Sequence, residues 1–166
     1  MKVIFEQSQK RHYPKTFLSS GAPQPNPEVP ERADVLLNAA REAGLQQETP
    51  HDFGLAPAAA VHTPEYLTFL QTIYERWRKI EGASEEVIPN IHPNGRGAGY
   101  PASAVGHAGY HMADTSCPIN AETWDSALRS SQGRGLTPDH FIVGIENSAP
   151  SLTPDGQREV TVLVWS

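Results

Sequence analysis

Apolar residues recur at helical spacing in two long stretches of the chain. Ala33, Leu36, Leu37 and Ala40 fall at i, i+3, i+4 and i+7, which predicts a helix over 31–43 with one apolar face. Pro30 and Glu31 suit its first turn, and Gly44 suits the position just past its end. Tyr66, Phe69, Leu70, Ile73, Tyr74 and Trp77 form a broader stripe and predict a second helix over 63–80. Thr63 is a cap for it, Pro64 fits the first helical position, and Glu65 favours the positive end of the dipole. Trp124, Ala127 and Leu128 predict a shorter helix over 120–131 with Thr123 as cap. Val3, Ile4 and Phe5 read as a strand over 2–5 in a sheet buried on both faces. Residues 45–49 read as a short second strand, and 141–145 and 160–165 as two more, split by Gly/Pro/Ser turns.

Two stretches lack either period. Residues 7–30 carry Pro14, Pro23, Pro25, Pro27 and Pro30, which remove backbone donors and fix φ, so a long loop without helix or inner strand is expected. Residues 82–116 are rich in Gly, His and Pro and are expected to be mostly loop. The elements as a whole indicate an α/β fold with a parallel sheet and no internal repeat. Composition agrees with one globular domain: 166 residues, 38% of them hydrophobic. The net charge of −6 argues against a broad nucleic-acid-binding surface, which needs clustered Lys and Arg. One cysteine, Cys117, excludes an internal disulfide framework and fits a reducing compartment. No apolar run approaches the ~18 residues of a membrane span, and residues 1–10 lack the apolar core of a signal peptide. The expectation is a soluble cytoplasmic protein with no membrane or nucleic-acid partner.

Seven histidines raise the question of metal or acid/base chemistry. The densest local group is His107-Ala-Gly-Tyr-His111 followed by Asp114. On a helix, His107 and His111 would share a face, and the carboxylate would complete a zinc site. Gly106 and Gly109 weaken that helix, and solvated loop histidines are the simpler alternative. His62, at a helix start, reads as structural or capping. Cys117 lacks a Cys/His/Asn framework and reads as a buried, inert thiol. Gly95, Gly97 and Gly99 flank Arg96 and Ala98 in a flexible loop, with no strand before them to make a phosphate cradle. Arg32, a cation at a helix N-terminus, is either solvated or held there for an anion.

Five pieces in order resemble one family. They are the 2–5 strand, His12-Tyr-Pro-Lys-Thr16, Pro27-Glu-Val-Pro-Glu-Arg-Ala33, Val61-His-Thr-Pro-Glu-Tyr-Leu-Thr-Phe-Leu70 with Trp77, and Gly106-His-Ala-Gly-Tyr-His-Met-Ala-Asp-Thr-Ser-Cys-Pro-Ile119 leading to Thr123-Trp124. Over 1–131 this series resembles the N-terminal part of bacterial acetylpolyamine amidohydrolases, in the histone deacetylase superfamily. The resemblance implies an arginase-like parallel-sheet fold and a Zn²⁺ that activates water to hydrolyse an acetyl-amide, with a small acetylated amine or amide as substrate. It places Phe17, His107 and Tyr110 around the substrate pocket. It places Arg32 near the pocket's inner end, where acetate leaves. It likens 82–116 to the insertion that narrows the mouth and supports a homodimer.

Two departures qualify what the resemblance implies. Phe17 stands where polyamine-specific members carry an acidic residue, which points away from a polyamine and toward another acetylated amine or small amide. The family's Pro-Gly-His-His, Asp-x-His, later Asp and Tyr are also not found in the chain, which contains no His-His pair. The reading is therefore an incomplete arginase/deacetylase-like fold, with 132–166 an unrelated tail of a truncated or frameshifted product. No catalytic residue, no metal ligand and no bound zinc are expected in the chain itself. The alternative is a non-catalytic module that dimerises with a full-length homologue and regulates it.

Overall fold

A computed structural model describes residues 2–92, 99–132 and 140–142, with 2 and 140–142 described by their backbone. The sheet is built around β1 (Lys2–Ile4), which pairs in parallel with β4 (Gln46–Glu48) on one edge and β5 (His140–Ile142) on the other. The connection from β1 to β4 runs through helix α1 (Glu31–Glu42), a crossover of the βαβ kind. Val3 and Phe5 pack against Ala33, Leu37 and Ala40 of α1, so the stripe seen in the sequence is the face laid on the sheet. Gly44, at φ 73, ends α1: its N–H bonds Arg41 O at 2.9 Å and the Leu45 N–H bonds Ala40 O at 3.0 Å. That is the Schellman arrangement, and it turns the chain directly into β4.

The larger core belongs to helix α3 (Pro64–Trp77), which follows the short helix α2 (Ala56–Ala59). Phe69, Leu70, Ile73 and Trp77 pack with Val87, Ala108, Met112, Ile119 and Ala127. Thr63 caps α3 as its position predicts, accepting the Tyr66 N–H at 3.3 Å, but the helix stops at Trp77 rather than continuing to 80. Helix α5 (Thr123–Gln132) lies close to its predicted span. Thr123, expected as its cap, is its first residue; the Thr123 Oγ1 accepts the Asn120 N–H at 2.9 Å, and Asn120 Oδ1 takes the Glu122 N–H at 2.9 Å. The expected strand over 141–145 is represented by β5, and that over 160–165 lies outside the described residues.

Both predicted loops hold structure. Within 7–30 the chain forms a 3-10 helix (Gln7–Arg11) and a hairpin of β2 (Thr16–Ser19) and β3 (Ala22–Pro25). The prolines are tolerated because β3 is an edge strand, exposed along its length. Ser20 and Gly21 turn the hairpin at φ 51 and 79, the left-handed pair that matches strand twist. Within 82–116 the chain forms helix α4 (Ala104–His111), capped by Ser103, whose Oγ accepts the Gly106 N–H at 3.0 Å. Gly109 is there for packing: a Cβ at that position would overlap the Ile91 carbonyl oxygen. The flexible loop expected around Arg96 falls on 93–98, outside the described residues.

The 3-10 helix lies along α5, and a buried polar link joins them. The Thr123 hydroxyl donates to Asn120 Oδ1, and the His12 Nδ1–H donates to Thr123 Oγ1 at 2.9 Å. Burial pushes His12 down from 6.5 to about 4, against an opposing hydrogen bond to Asn120.

Two stability outcomes follow from these contacts. Gly109→Ala normally gains about 1 kcal/mol in a helix. Here overpacking against Ile91 costs about 1–3 kcal/mol, so urea unfolding is expected to show net destabilisation. A neutral or stabilising effect would show that α4 does not pack this closely. The buried neutral His12 contributes stability that is complete above pH 6.5 and lost as the pH falls toward 4. The full amount is about 3 kcal/mol. His12→Asn, which keeps a donor near the Nδ1 position, is expected to flatten this part of the unfolding free energy plotted against pH.

Candidate functional site

A concentration of chemistry-bearing side chains sits where α4 packs on α3. His107 and His111 share a face of α4, as their spacing allows, with ring centroids 6.1 Å apart. Arg76 from α3 donates to His107 Nδ1 at 2.8 Å. A guanidinium has no acceptor, so Nδ1 is unprotonated and the proton sits on Nε2, which donates to the Pro101 carbonyl. His107 is thus a bracket between α3 and the 99–102 segment, with both ring nitrogens committed. Arg76 adds a bond to Ala102 O at 3.4 Å, on the same segment.

His111 is stacked on Phe69 at 4.6 Å and meets the Tyr100 hydroxyl through Nε2 at 2.8 Å. Burial pushes its pKa down, with Glu65 opposing. Neutral His111 therefore sits among aromatic rings: Tyr100, Tyr110, Tyr66 and Phe69 all contact it. Tyr100 and Tyr110 also meet edge to face at 5.2 Å, and each is 48% exposed.

The remaining candidates are distributed. Asp114 does not join the two histidines as a metal ligand. Its Oδ1 caps a turn by accepting the Ser116 N–H at 2.7 Å and lies 3.5 Å from Cys117 Sγ. Burial and then Asp114 push the Cys117 thiol up to about 11, so it stays protonated near neutral pH and is no nucleophile. His62 lies against the Tyr66 ring at 4.9 Å, in keeping with a structural role. Among the described residues no group of three His, Cys, Asp or Glu is placed to hold a metal ion.

Phe17 is half-buried on β2, opposite Gln24. Arg32, 44% exposed, pairs with Glu28 one turn earlier, so its charge is answered locally. No hydrogen bond, ion pair or ring contact among the described residues links Phe17 or Arg32 to His107 or Tyr110. The sequence reading missed Arg76, Tyr100 and the buried Glu86. Arg76 carried a signal, since it lies on the polar flank of the α3 stripe. Glu86 carried none, because it stands beside a second glutamate in a stretch without period.

No protein-family model matches the chain. It is 39% identical over 137 residues to an acetylpolyamine amidohydrolase of Burkholderia pseudomallei, a match covering 80% of this chain and 38% of that protein. It is 30% identical to acetylpolyamine amidohydrolase 1 of Pseudomonas aeruginosa, covering 95% of this chain and 46% of that one. The crystal structure of an acetylpolyamine aminohydrolase from Burkholderia pseudomallei superposes with a TM-score of 0.75 at 38% identity, over 80% of this chain and 39% of that chain. The chain therefore spans less than half the length of these relatives. In sequence and in backbone it is a homologue of part of the bacterial acetylpolyamine amidohydrolases, members of the histone deacetylase superfamily.

Proposed function

We propose that this chain is the mouth-shaping part of an acetyl-amide hydrolase and has no hydrolase activity by itself. The observation that carries the reading is one of coverage. Relatives named acetylpolyamine amidohydrolase match 80–95% of this chain, while the chain spans only 38–46% of them. The complete fold would bind a small acetylated amine and cleave its amide to acetate and free amine. In this part Phe17, His107 and Tyr110 would border the substrate, and Arg32, released from Glu28, would meet the acetate end. Phe17 presents an apolar surface to the substrate, which favours an amine less cationic than a polyamine.

The zinc of that family does not fit the donors of this stretch. His107 has spent both nitrogens, and Asp114 is held in its own turn. The metal and the acid/base groups are assigned to the portion of the relatives that this chain does not span. Purified chain is expected to hold well under one zinc per molecule by elemental analysis, and to release no acetate from N-acetylated polyamines or acetyl-lysine peptides. One zinc per chain together with turnover would overturn the reading.

A second reading is favoured by one surface. Tyr100 and Tyr110 are each 48% exposed, Ile91 is 61% exposed, and the three gather around α4. Exposed aromatic clusters of this kind are typical of contact surfaces. On this reading the chain pairs with a second copy or a full-length homologue. Size-exclusion chromatography with light scattering is expected to show a dimer that Tyr110→Ser weakens at least tenfold. A monomer at high micromolar concentration, unchanged by the substitution, would dismiss it.

A further inference from the structure

The β2–β3 hairpin has little of its own to hold it. Every residue of β3 is exposed, only Phe17 and Leu18 of β2 are half-buried, and a two-stranded hairpin alone is marginal in water. Its position is set from outside, and the strongest outside contact is a carboxylate. Glu86 Oε1 accepts the Lys15 N–H at 2.6 Å. Its Oε2 accepts the Thr16 N–H at 3.3 Å and the Thr16 hydroxyl at 3.4 Å. Both oxygens therefore act at the root of the hairpin, one residue before Phe17. Glu86 is itself 9% exposed, so these bonds form away from most of the solvent.

The carboxylate is well anchored. The Trp77 indole donates to Ser84 O at 3.1 Å, and the Ser84 hydroxyl donates to Glu86 O at 2.6 Å. Val87 then forms a two-way bridge with Ile119, at 2.8 and 3.1 Å. The backbone around Glu86 is thus fixed to the end of α3 and to the main core. The hairpin's second attachment is also two-way. Leu18 N–H reaches Thr115 O at 3.2 Å, and Thr115 Oγ1 reaches Leu18 O at 3.2 Å.

We propose that Glu86 is a positioning residue: it transmits the placement of the α3 core to the hairpin and so fixes Phe17 at the substrate mouth. The link to substrate rests on the reading of the hairpin as part of that mouth. The link from Glu86 to the hairpin does not. Glutamine at this position would keep only one accepting oxygen and would turn an NH2 toward a backbone N–H, setting donor against donor.

The test is amide hydrogen exchange on the full 166-residue chain, with tryptic cleavage after Lys15 as a second readout. In Glu86→Gln, exchange at Lys15, Thr16 and Phe17 and cleavage after Lys15 are expected to rise at least about tenfold. The near-ultraviolet tryptophan signal of the chain should stay unchanged, and Glu85→Gln should alter nothing. Unchanged exchange at Lys15 and Thr16 in Glu86→Gln overturns the proposal. Should that variant lose its tryptophan signal, the unmutated chain decides. A Lys15 amide exchanging at the rate of an unstructured peptide refutes the proposal, and strong protection there supports it. None of these readouts depends on zinc or turnover, so failure of the hydrolase reading would leave the result intact.

Discussion

β1 has three residues and pairs in parallel on both of its edges, and this two-sided demand organises the N-terminal half of the molecule. So short a ladder makes few hydrogen bonds, and each contributes only about 1 kcal/mol net. Side-chain burial must supply the rest. Val3 and Phe5 are buried with Ala33, Leu37 and Ala40 of α1, and burial of each large apolar side chain is worth about 1.5–3 kcal/mol. Because β1 is buried, the chain that follows it cannot stay in the sheet layer. It leaves as a 3-10 helix and an exposed hairpin before α1 returns across the face. His12 then ties that excursion to Thr123, 111 residues along the chain, and so couples the sheet side to the α5 side through one buried polar contact. The ion pairs of Arg11 with Glu122 and Asp125 along the same seam are exposed and add little.

The parts of this fold legible in the sequence are those where side-chain period alone decides the structure. α1 and α3 present apolar residues at i, i+3, i+4 and i+7, a spacing that a strand does not use. The Schellman ending at Gly44 was legible for a related reason, since a left-handed residue just past a helix is a local requirement. α4 was not legible, because glycine lowers helix propensity, and propensity is blind to the backbone that approaches from another part of the chain. Gly109 is a helix residue because Ile91 passes over it, and nothing near Gly109 in sequence announces Ile91. The hairpin was hidden in the opposite way. Prolines argue correctly against an inner strand, but an edge strand needs no donor on its solvent side.

The candidate site shows the same division between residue type and partner. The sequence put His107, His111 and Asp114 in one short segment, and that grouping suggests metal binding. Two of the three were in fact satisfied by groups from elsewhere: Arg76 and Pro101 for His107, and Tyr100 for His111. A histidine whose nitrogen accepts from a guanidinium is a structural bracket, and only the partner's identity reveals it. For Arg32 the sequence likewise names the cation and not its partner, which in the structure is Glu28. Phe17 is the reverse case. Its type and position, read through the family resemblance, said more about substrate than its half-buried place on β2 does.

A division of labour between shape and chemistry follows from where the charges lie. The side chains that order this part of the molecule are buried, neutral or fully hydrogen-bonded: His12, His107, Thr123, and Glu86 with its oxygens turned to the hairpin. A metal-hydrolase centre needs the opposite. It needs donors left with an open direction toward a metal and a water, held by partners that do not consume them. Committing polar groups to structure and keeping them available for catalysis compete for the same lone pairs. Among the described residues, His12, His107 and Glu86 commit their polar atoms to structure, and this supports the proposal that the hairpin and α4 shape a pocket rather than carry its chemistry.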